Sequence, residues 1–557
     1  MIPEITTADA CELISKRFAS SGIPLDELIA QEYPEETVFV AHVRDAFLTT
    51  AAELGNALDE ELQGKGFHGF VTVRRTQEPK ATPSRVSTRT AVADERAADL
   101  IALITSRART SETQPSLRYV VDAAANLARV RARRHSLIFG RRGAGKTALM
   151  LEAKRQVVDD GQIAVWLNLQ TYRRESVHRA ALWIAARICD AILTALRDDR
   201  RRQLIHATAS STRSHIETLL GATTVDVDQV HRLIPSLQTL IQRFCETSGR
   251  RLYVFLDDVH YLQRPQQPEL LDLLHGCVRD ADAWLKIAAI RHFAKWYQIN
   301  PPTGLQAGQD ADAIDLDLSL QQPTRAKQFL EQVLAGFASH VGVSAIAGLY
   351  AADALDRLVL ASGAVPRDYL VLAGGALSHA RPRGKSRLVG KQDVARAAGD
   401  IAQAKMSELE EDSTAATGSA QRMIAGLQIL RQFCLSDKKY SFFQIDFRDK
   451  EKFVEEYSLL QSLMDVRLIH MVNASVSDTH RSGERAELYM LDLSQFSGER
   501  LRRHLKVLDF VDGDIVLRET GTTRKPRRGD TPRKLITMLR SAPRFDLAQL
   551  SGVAAPQ

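Results

Sequence analysis

The residues whose types and spacing speak most directly of chemistry are Gly140, Arg141, Arg142, Gly143, Ala144, Gly145, Lys146, Thr147 and Ala148, which write the pattern G-x-x-x-x-G-K-T and one residue beyond it. Glycines at these positions let successive backbone N–H groups curl around a polyphosphate. Lys146 supplies a mobile cation for the β and γ phosphates, and the Thr147 hydroxyl is of the kind that ligates Mg²⁺. The pattern sits behind an apolar strand, Ser136-Leu-Ile-Phe139, and ahead of a helix-forming run from Thr147. That context makes a nucleotide, with ATP and Mg²⁺ as the ligands, the expected occupant.

A second run, Arg251-Leu-Tyr-Val-Phe-Leu-Asp-Asp-Val-His260, reads as a buried parallel strand ending in two carboxylates. Open α/β sheets place ligand groups at the carboxyl ends of their strands. This looks like a Walker B strand, in which Asp257 holds Mg²⁺ and Asp258 is the general base that orients the attacking water. Further along, Trp284-Leu-Lys-Ile-Ala-Ala-Ile-Arg-His292 is another buried strand with a polar end. It brings Arg291 beside those carboxylates, where it can sense the γ-phosphate or position water. Lys146, Asp258 and Arg291 form the catalytic set. Ser362-Gly-Ala-Val-Pro-Arg367 breaks a helical region at a glycine and a proline and starts a new helix carrying Arg367 near its beginning.

The ordered set of Gly140–Thr147, Asp257–Asp258, Arg291 and Gly363-Ala-Val-Pro-Arg367 resembles AAA+ and STAND ATPases, most closely the origin-recognition/initiator-like branch, across roughly 110–402. The resemblance implies an α/β P-loop core with a five-stranded parallel sheet and a helical lid. It places Arg291 at the sensor-one position and Arg367 at the sensor-two position, through which the lid reports nucleotide state, and likens Gly390–Ala398 to the last lid helix. Asp258 stands where such proteins usually have Glu, which implies slow hydrolysis. Arg279 is the available arginine-finger candidate.

These groups need elements to hold them. A helical N-terminal domain is expected over 1–72, from the amphipathic spacing of Val43, Phe47, Ala51, Leu54 and Leu58. A basic linker follows over 73–92, with Arg74, Arg75, Lys80, Arg85 and Arg89. Helical patterns at 94–106 and 117–134 lead into the ATPase core at 110–317, whose second strand is Gln162–Asn168 and whose fifth lies at Ala313–Ser319. Helical sequence from 175 to 247 separates the second and third strands. The lid is expected at 318–402 and a polar linker at 403–420. A winged-helix-like domain over 421–515 has a helical stripe of Met423, Leu427, Leu430 and Cys434, a helix at 450–464, and strands at Val466–Val472 and Ala486–Asp492. A basic tail closes the chain at 516–557.

The 557 residues exceed what one core supports, and 44% hydrophobic with 25% charged residues fits an ordinary globular chain. No run reaches the ~18 apolar residues a membrane span needs, and Met-Ile-Pro-Glu-Ile lacks the basic-then-apolar order of a secretion signal. The expected location is cytoplasmic, with no membrane partner. Five scattered cysteines form no C-x-x-C pair and read as core thiols, so neither a cysteine zinc site nor a disulfide framework is expected. The net charge of +6 is unevenly spread. Basic groups crowd 74–89, 129–142, 381–391 and 524–534, which points to a polyanion such as duplex DNA. Against this, the helix at 450–464 and the residue after it carry Glu451, Glu455, Glu456 and Asp465, unlike a helix that reads a major groove; the loop with His480, Arg481 and Arg485 is the better DNA contact. The function expected is an ATP-binding, ATP-hydrolysing switch that assembles on or near DNA, as a homo-oligomer or with partner proteins. The alternative is a STAND-type signalling or defence ATPase acting through protein partners without direct DNA binding.

Overall fold

The structure, a computed structural model, describes residues 5–32, 37–43, 47–75, 92–108, 110–112, 119–120, 124–196, 203–318, 320–383, 388–413, 419–477, 485–497, 504–511, 514–520 and 542–554. The chain divides into two compact units, Met1–Thr88 and Arg89–Gln557.

The first unit contains α1 (Thr7–Ser20), β1 (Leu25–Glu32), β2 (Thr37–Val43), α2 (Leu48–Gly64) and β3 (Gly69–Arg75). Its sheet has the order β1-β2-β3, antiparallel then parallel, so the expected helical domain is corrected to an α/β one. The helical stripe is real only from Ala51 onward. Val43 belongs to β2, where Thr-Val-Phe-Val-Ala-His-Val is rich in β-branched and aromatic side chains. Phe18, Phe39, Leu58 and Leu62 fill the core between helices and sheet. Arg74 and Arg75 end β3, and the rest of the expected linker, 76–91, lies outside the described residues.

The second unit opens with α3 (Glu95–Arg107) and α4 (Asn126–Arg131), then β4 (His135–Phe139), α5 (Lys146–Asp159) and β5 (Ile163–Asn168). The helical elaboration is α6 (Val177–Leu196), α7 (Gln203–Gly221) and α8 (Val227–Ser248), the last capped by Asp226 and ended by Gly249 at φ +65°. Next come β6 (Leu252–Asp257), α9 (Gln267–Val278), β7 (Ala283–Ala289), the short ladder β8 (Tyr297–Gln298) and β9 (Thr303–Gly304), and β10 (Ala311–Asp315). The main sheet runs β10-β4-β7-β6-β5 with every neighbour parallel. β6 is buried at all its positions, as strands covered on both faces must be. Side chains from α6–α9 cover one face; α4 and α5 cover the other.

The lid is α10 (Pro323–His340), α11 (Ala352–Ala361), α12 (Pro366–Ala380) and α13 (Lys391–Ser413). α3 packs into it through Ala97, Leu100 and Ile104, although it precedes the ATPase core in sequence. α14 (Ser419–Arg431), β11 (Phe442–Asp446), α15 (Phe447–Lys452), α16 (Val454–Asp465), β12 (Ile469–Ser477) and β13 (Arg485–Leu491) follow, with a sheet in the order β11-β13-β12. The expected helix at 450–464 is broken at Phe453, whose ψ of +65° leaves the helical region. The β14 (Lys506–Val511) and β15 (Asp514–Glu519) hairpin completes the strands.

Two expected boundaries are corrected. The polar stretch 403–413 is the end of α13, and Lys405 in it is buried between two carboxylates, so lid and C-terminal module share one hydrophobic core instead of being joined by a linker. Nor are residues 542–554 of the expected tail free. Phe545, Leu547 and Leu550 are buried, and Gln444 exchanges backbone hydrogen bonds with Pro543 and Phe545. The basic run 524–534 and residues His480 and Arg481 fall outside the described residues. Among the described residues, no helix is long and apolar enough to cross a membrane.

Candidate functional site

The phosphate loop bridges β4 and α5, and its turn depends on Gly143 at φ +78° and Gly145 at φ +100°. A Cβ on Gly143 would sit 2.7 Å from Cβ of Arg367, so the start of the lid helix α12 lies directly on the loop. The Arg367 backbone N–H also donates to the Gly143 carbonyl at 3.3 Å.

Lys146 is buried, and its Nζ donates to the carbonyls of Gly140 at 2.7 Å and Arg141 at 3.1 Å. Burial draws its pKa down while Asp258 and Asp257 pull it back up. Such a cation, held by neutral carbonyls and lining a cavity, suits an anionic ligand. Thr147 Oγ1 donates to Asp257 Oδ2 at 2.7 Å. Burial, and then the charge of Asp258, push the Asp257 carboxyl well above the usual range, with the Thr147 hydroxyl and Lys146 opposing. A hydroxyl and a buried, adjacent carboxylate are hard oxygen ligands of the type Mg²⁺ takes. The residues present therefore fit both the polyphosphate and its metal.

Asp258 takes a left-handed backbone, φ +59° and ψ +38°, which turns its side chain out of the strand line and into the cavity. Its Oδ2 accepts from Nδ2 of Asn168 at 3.2 Å. Asn168 is paired with Asp257 at the carboxyl ends of β5 and β6. This carboxylate anchor was not among the residues expected from sequence; its only signal is a polar residue ending an apolar strand. His260 was also missed. It is half-buried and lines the cavity, where desolvation, Lys146 and Arg142 hold its pKa well below the ordinary value.

The cavity of about 1160 Å³ is lined by Arg142 to Ala148, Asp258 and Arg367, with Tyr119, Val333 and Leu370 among its apolar lining. Gly140 and Arg141 lie outside that lining. Arg141 is a fastener: its N–H and Nε donate to Asp317 Oδ1, and Nη2 reaches the carbonyls of Leu318 and Gly363 in the lid. Arg291 follows β7 as expected, but its side chain swings toward β4 and β10, stacking over Phe139 at 4.3 Å and pairing with Asp315 at 3.3 Å. Arg279 is the C-cap residue of α9 and precedes β7, on the side of the sheet where the strands begin, whereas the phosphate loop leaves the carboxyl end of β4.

Asp465, at the end of α16, is the largest departure from expectation. It is 2% exposed. Burial and Asp317 push its carboxyl up to about 8, against the pull of Arg141, Lys146 and Arg142. The C-terminal module thus delivers a carboxyl group to the surroundings of the phosphate loop. Behind it, Arg467 pairs with Asp368 of α12, Lys405 bridges Asp368 at 3.1 Å and Asp492 at 2.9 Å, and His470 Nε2 meets Asp492 at 2.7 Å.

Residues 122–281 match the family model described as "AAA ATPase domain". This segment is an AAA ATPase domain. The phosphate loop, the paired acids and strands β4, β5 and β6 lie within it, while β7 and β10 of the same sheet follow it. No curated protein matches the chain. Among solved structures, the chain is similar to the ORC1 protein of Aeropyrum pernix in complex with DNA, at 16% identity and TM-score 0.34, covering 74% of this chain and 92% of that one. It is similar to a Walker-type ATPase of Pyrococcus abyssi at 15% identity and TM-score 0.38, covering 68% and 97%. NtrX from Brucella abortus in complex with ATP aligns at 14% identity and TM-score 0.25, covering 77% and 83%.

Proposed function

We propose that this protein is an ATP-binding and ATP-hydrolysing switch of the initiator-like AAA+ kind, in which nucleotide occupancy governs whether the C-terminal module is held on the ATPase domain or released to assemble on or near DNA. The observation that carries this reading is the meeting of three modules at one loop. The AAA ATPase domain supplies Lys146, the lid supplies Arg367, and the C-terminal module supplies Asp465. A polyphosphate brings negative charge to that place, and it binds best when a competing carboxyl group is neutral or gone.

In this reading Lys146 and the loop N–H groups neutralise and orient the phosphates, Asp258, held by Asn168, takes the proton of the attacking water, and Arg367 couples the lid to the ligand. Thr147 and Asp257 would hold Mg²⁺, which neutralises phosphate charge when bound. The element order α14-β11-α15-α16-β12-β13 with sheet order β11-β13-β12 supports a winged-helix-like reading of the C-terminal module. The STAND-type alternative is favoured by one observation: α16 is acidic in its first turn and its last residue is packed inside the protein, which suits a protein-contacting element better than a DNA-reading one.

Fluorescence anisotropy against duplex DNA, with and without ATP and across a salt series, tests the DNA half. Binding should depend on nucleotide and weaken with a log–log slope of about minus one per phosphate contacted. Neutralising Arg524, Lys525, Arg527 and Arg528 together should flatten that slope and leave ATP affinity unchanged. A protein that ignores DNA at low salt in every nucleotide state would instead be the partner-binding STAND ATPase.

A further inference from the structure

We propose that the helical elaboration carries a binding site for one divalent transition-metal ion of the zinc class, formed by His178, His231 and Glu269. The three residues come from the starts of α6, α8 and α9, elements distant in sequence. Their ligating atoms all lie within 4.8 Å of one another. His178 Nε2 is 3.2 Å from Glu269 Oε1, and the imidazoles of His178 and His231 stand edge to face, 66° apart with centroids at 5.9 Å.

Two nitrogens and one carboxylate oxygen, each about 2.0–2.2 Å from a zinc ion in tetrahedral array, lie roughly 3.3 Å from one another. The pair already at 3.2 Å meets that spacing, and the exposed His231 closes the third side by a side-chain rotation. A second observation points to a ligand. His178 Nε2 is buried, and despite its closeness to the carboxylate it makes no hydrogen bond. A buried ring nitrogen without a hydrogen bond is costly as plain packing and is explained when its lone pair faces a cation. Two imidazoles select the zinc end of the divalent series and disfavour Mg²⁺ or Ca²⁺. Three protein ligands leave the fourth position to water.

The site's consequence is a cross-link. α9 is the first α-helix after the Asp257–Asp258 strand, and the ion would tie its first turn to the N-terminal two turns of two helices of the elaboration. Loss of the metal frees those helices without touching the phosphate loop.

The test uses the full chain, stripped with a chelator and titrated with zinc against a chromophoric competitor, with Co²⁺ as a spectroscopic stand-in. The parent should take up one ion per chain at this site, give the visible absorption of four-coordinate Co²⁺, and melt at a higher temperature with zinc than without. His231→Ala, a substitution at an exposed position that leaves the core intact, should lower zinc affinity at least ~10-fold and abolish the zinc-dependent rise in melting temperature. Glu269→Gln should weaken binding in the same direction. If the parent binds no zinc at micromolar concentration, or if His231→Ala binds it with parental stoichiometry and affinity, the site does not exist as assigned.

Discussion

His470 and Gly363 occupy one space: a Cβ built on Gly363 would stand 2.0 Å from His470 Nδ1. Gly363 has φ +57°, so the absence of a side chain serves both the backbone and the neighbour. The contact locks strand β12 of the C-terminal module onto the turn that starts α12, the lid helix carrying Arg367.

Gly363→Ala should therefore be severely destabilising, by more than ~2 kcal/mol, since it adds a left-handed alanine to an overlap that displaces His470 from Asp492. Denaturant unfolding of the single variant and of Gly363→Ala with His470→Ala gives the check. The double variant should recover part of the loss; a purely additive result would show that the two residues do not oppose one another.

Asp465 gives the docked module a pH dependence whose sign follows from its raised pKa. The folded protein keeps this proton up to about 8, whereas an unfolded aspartate releases it near 3.8. The folded state thus binds the extra proton between those values, and stability falls by up to one proton's worth of slope as pH rises through that window, levelling off above it. Asp465→Asn should remove this component. Melting curves of variant and parent should converge at acid pH and diverge in the variant's favour toward pH 8. Parallel pH profiles would mean that Asp465 does not hold its proton in the fold.

Lys146→Ala removes the buried cation assigned to the β and γ phosphates. Calorimetric ATP affinity should drop roughly ten- to a hundredfold, the worth of a charge-assisted hydrogen bond, while the circular dichroism spectrum persists. Parental affinity would move the phosphate site elsewhere.

The two Walker B acids should separate on substitution. Asn tolerates the left-handed backbone at position 258, so Asp258→Asn should keep Mg-ATP binding and lower turnover by about 10²–10⁴. Asp257→Asn should weaken the metal-dependent part of binding itself. Asn168→Ala, which unties the Asp258 carboxylate, should reduce kcat with KM nearly unchanged. Steady-state hydrolysis with a magnesium series distinguishes the three. A parental kcat in Asp258→Asn would place the base on another residue.

Arg367 lines the cavity and its backbone rests on Gly143. Arg367→Ala should leave ADP affinity nearly intact while erasing any ATP-specific change in sedimentation. Identical ATP-dependent sedimentation in variant and parent would remove the sensor role.

Local signals carried the ATPase core well. The glycine and lysine spacing, the all-apolar β6 and the acids at its end depend on short-range patterns, and the structure places Thr147, Asp257 and Asp258 together as those patterns require. Contacts between distant segments left no such mark. Nothing local to Asp465 announces that α16 ends among the residues of the phosphate loop, and nothing around Arg291 announces Phe139 as its resting place. The N-terminal strands were missed for a different reason: Val43 and Phe47 happen to continue a helical spacing that the strand β2 interrupts. The stretch at 403–413 was misjudged because polar composition resembles a linker, while one lysine in it, Lys405, is buried against acids from elsewhere.

The packing of α3 against α12 has a consequence for how the molecule comes apart. The polypeptide passes through the lid, leaves to build the whole ATPase sheet, and returns to the same lid at α10. Both ends of the nucleotide-binding domain are thereby moored to one helical body, like a loop of cord knotted twice to the same ring. A fragment cut at 110 abandons one mooring and exposes the apolar side of α12 that Leu100 and Ile104 had covered. Excision of a working lid must include residues from before the first strand of the domain it covers, and a motion of the lid is felt by that domain at its entrance and its exit together.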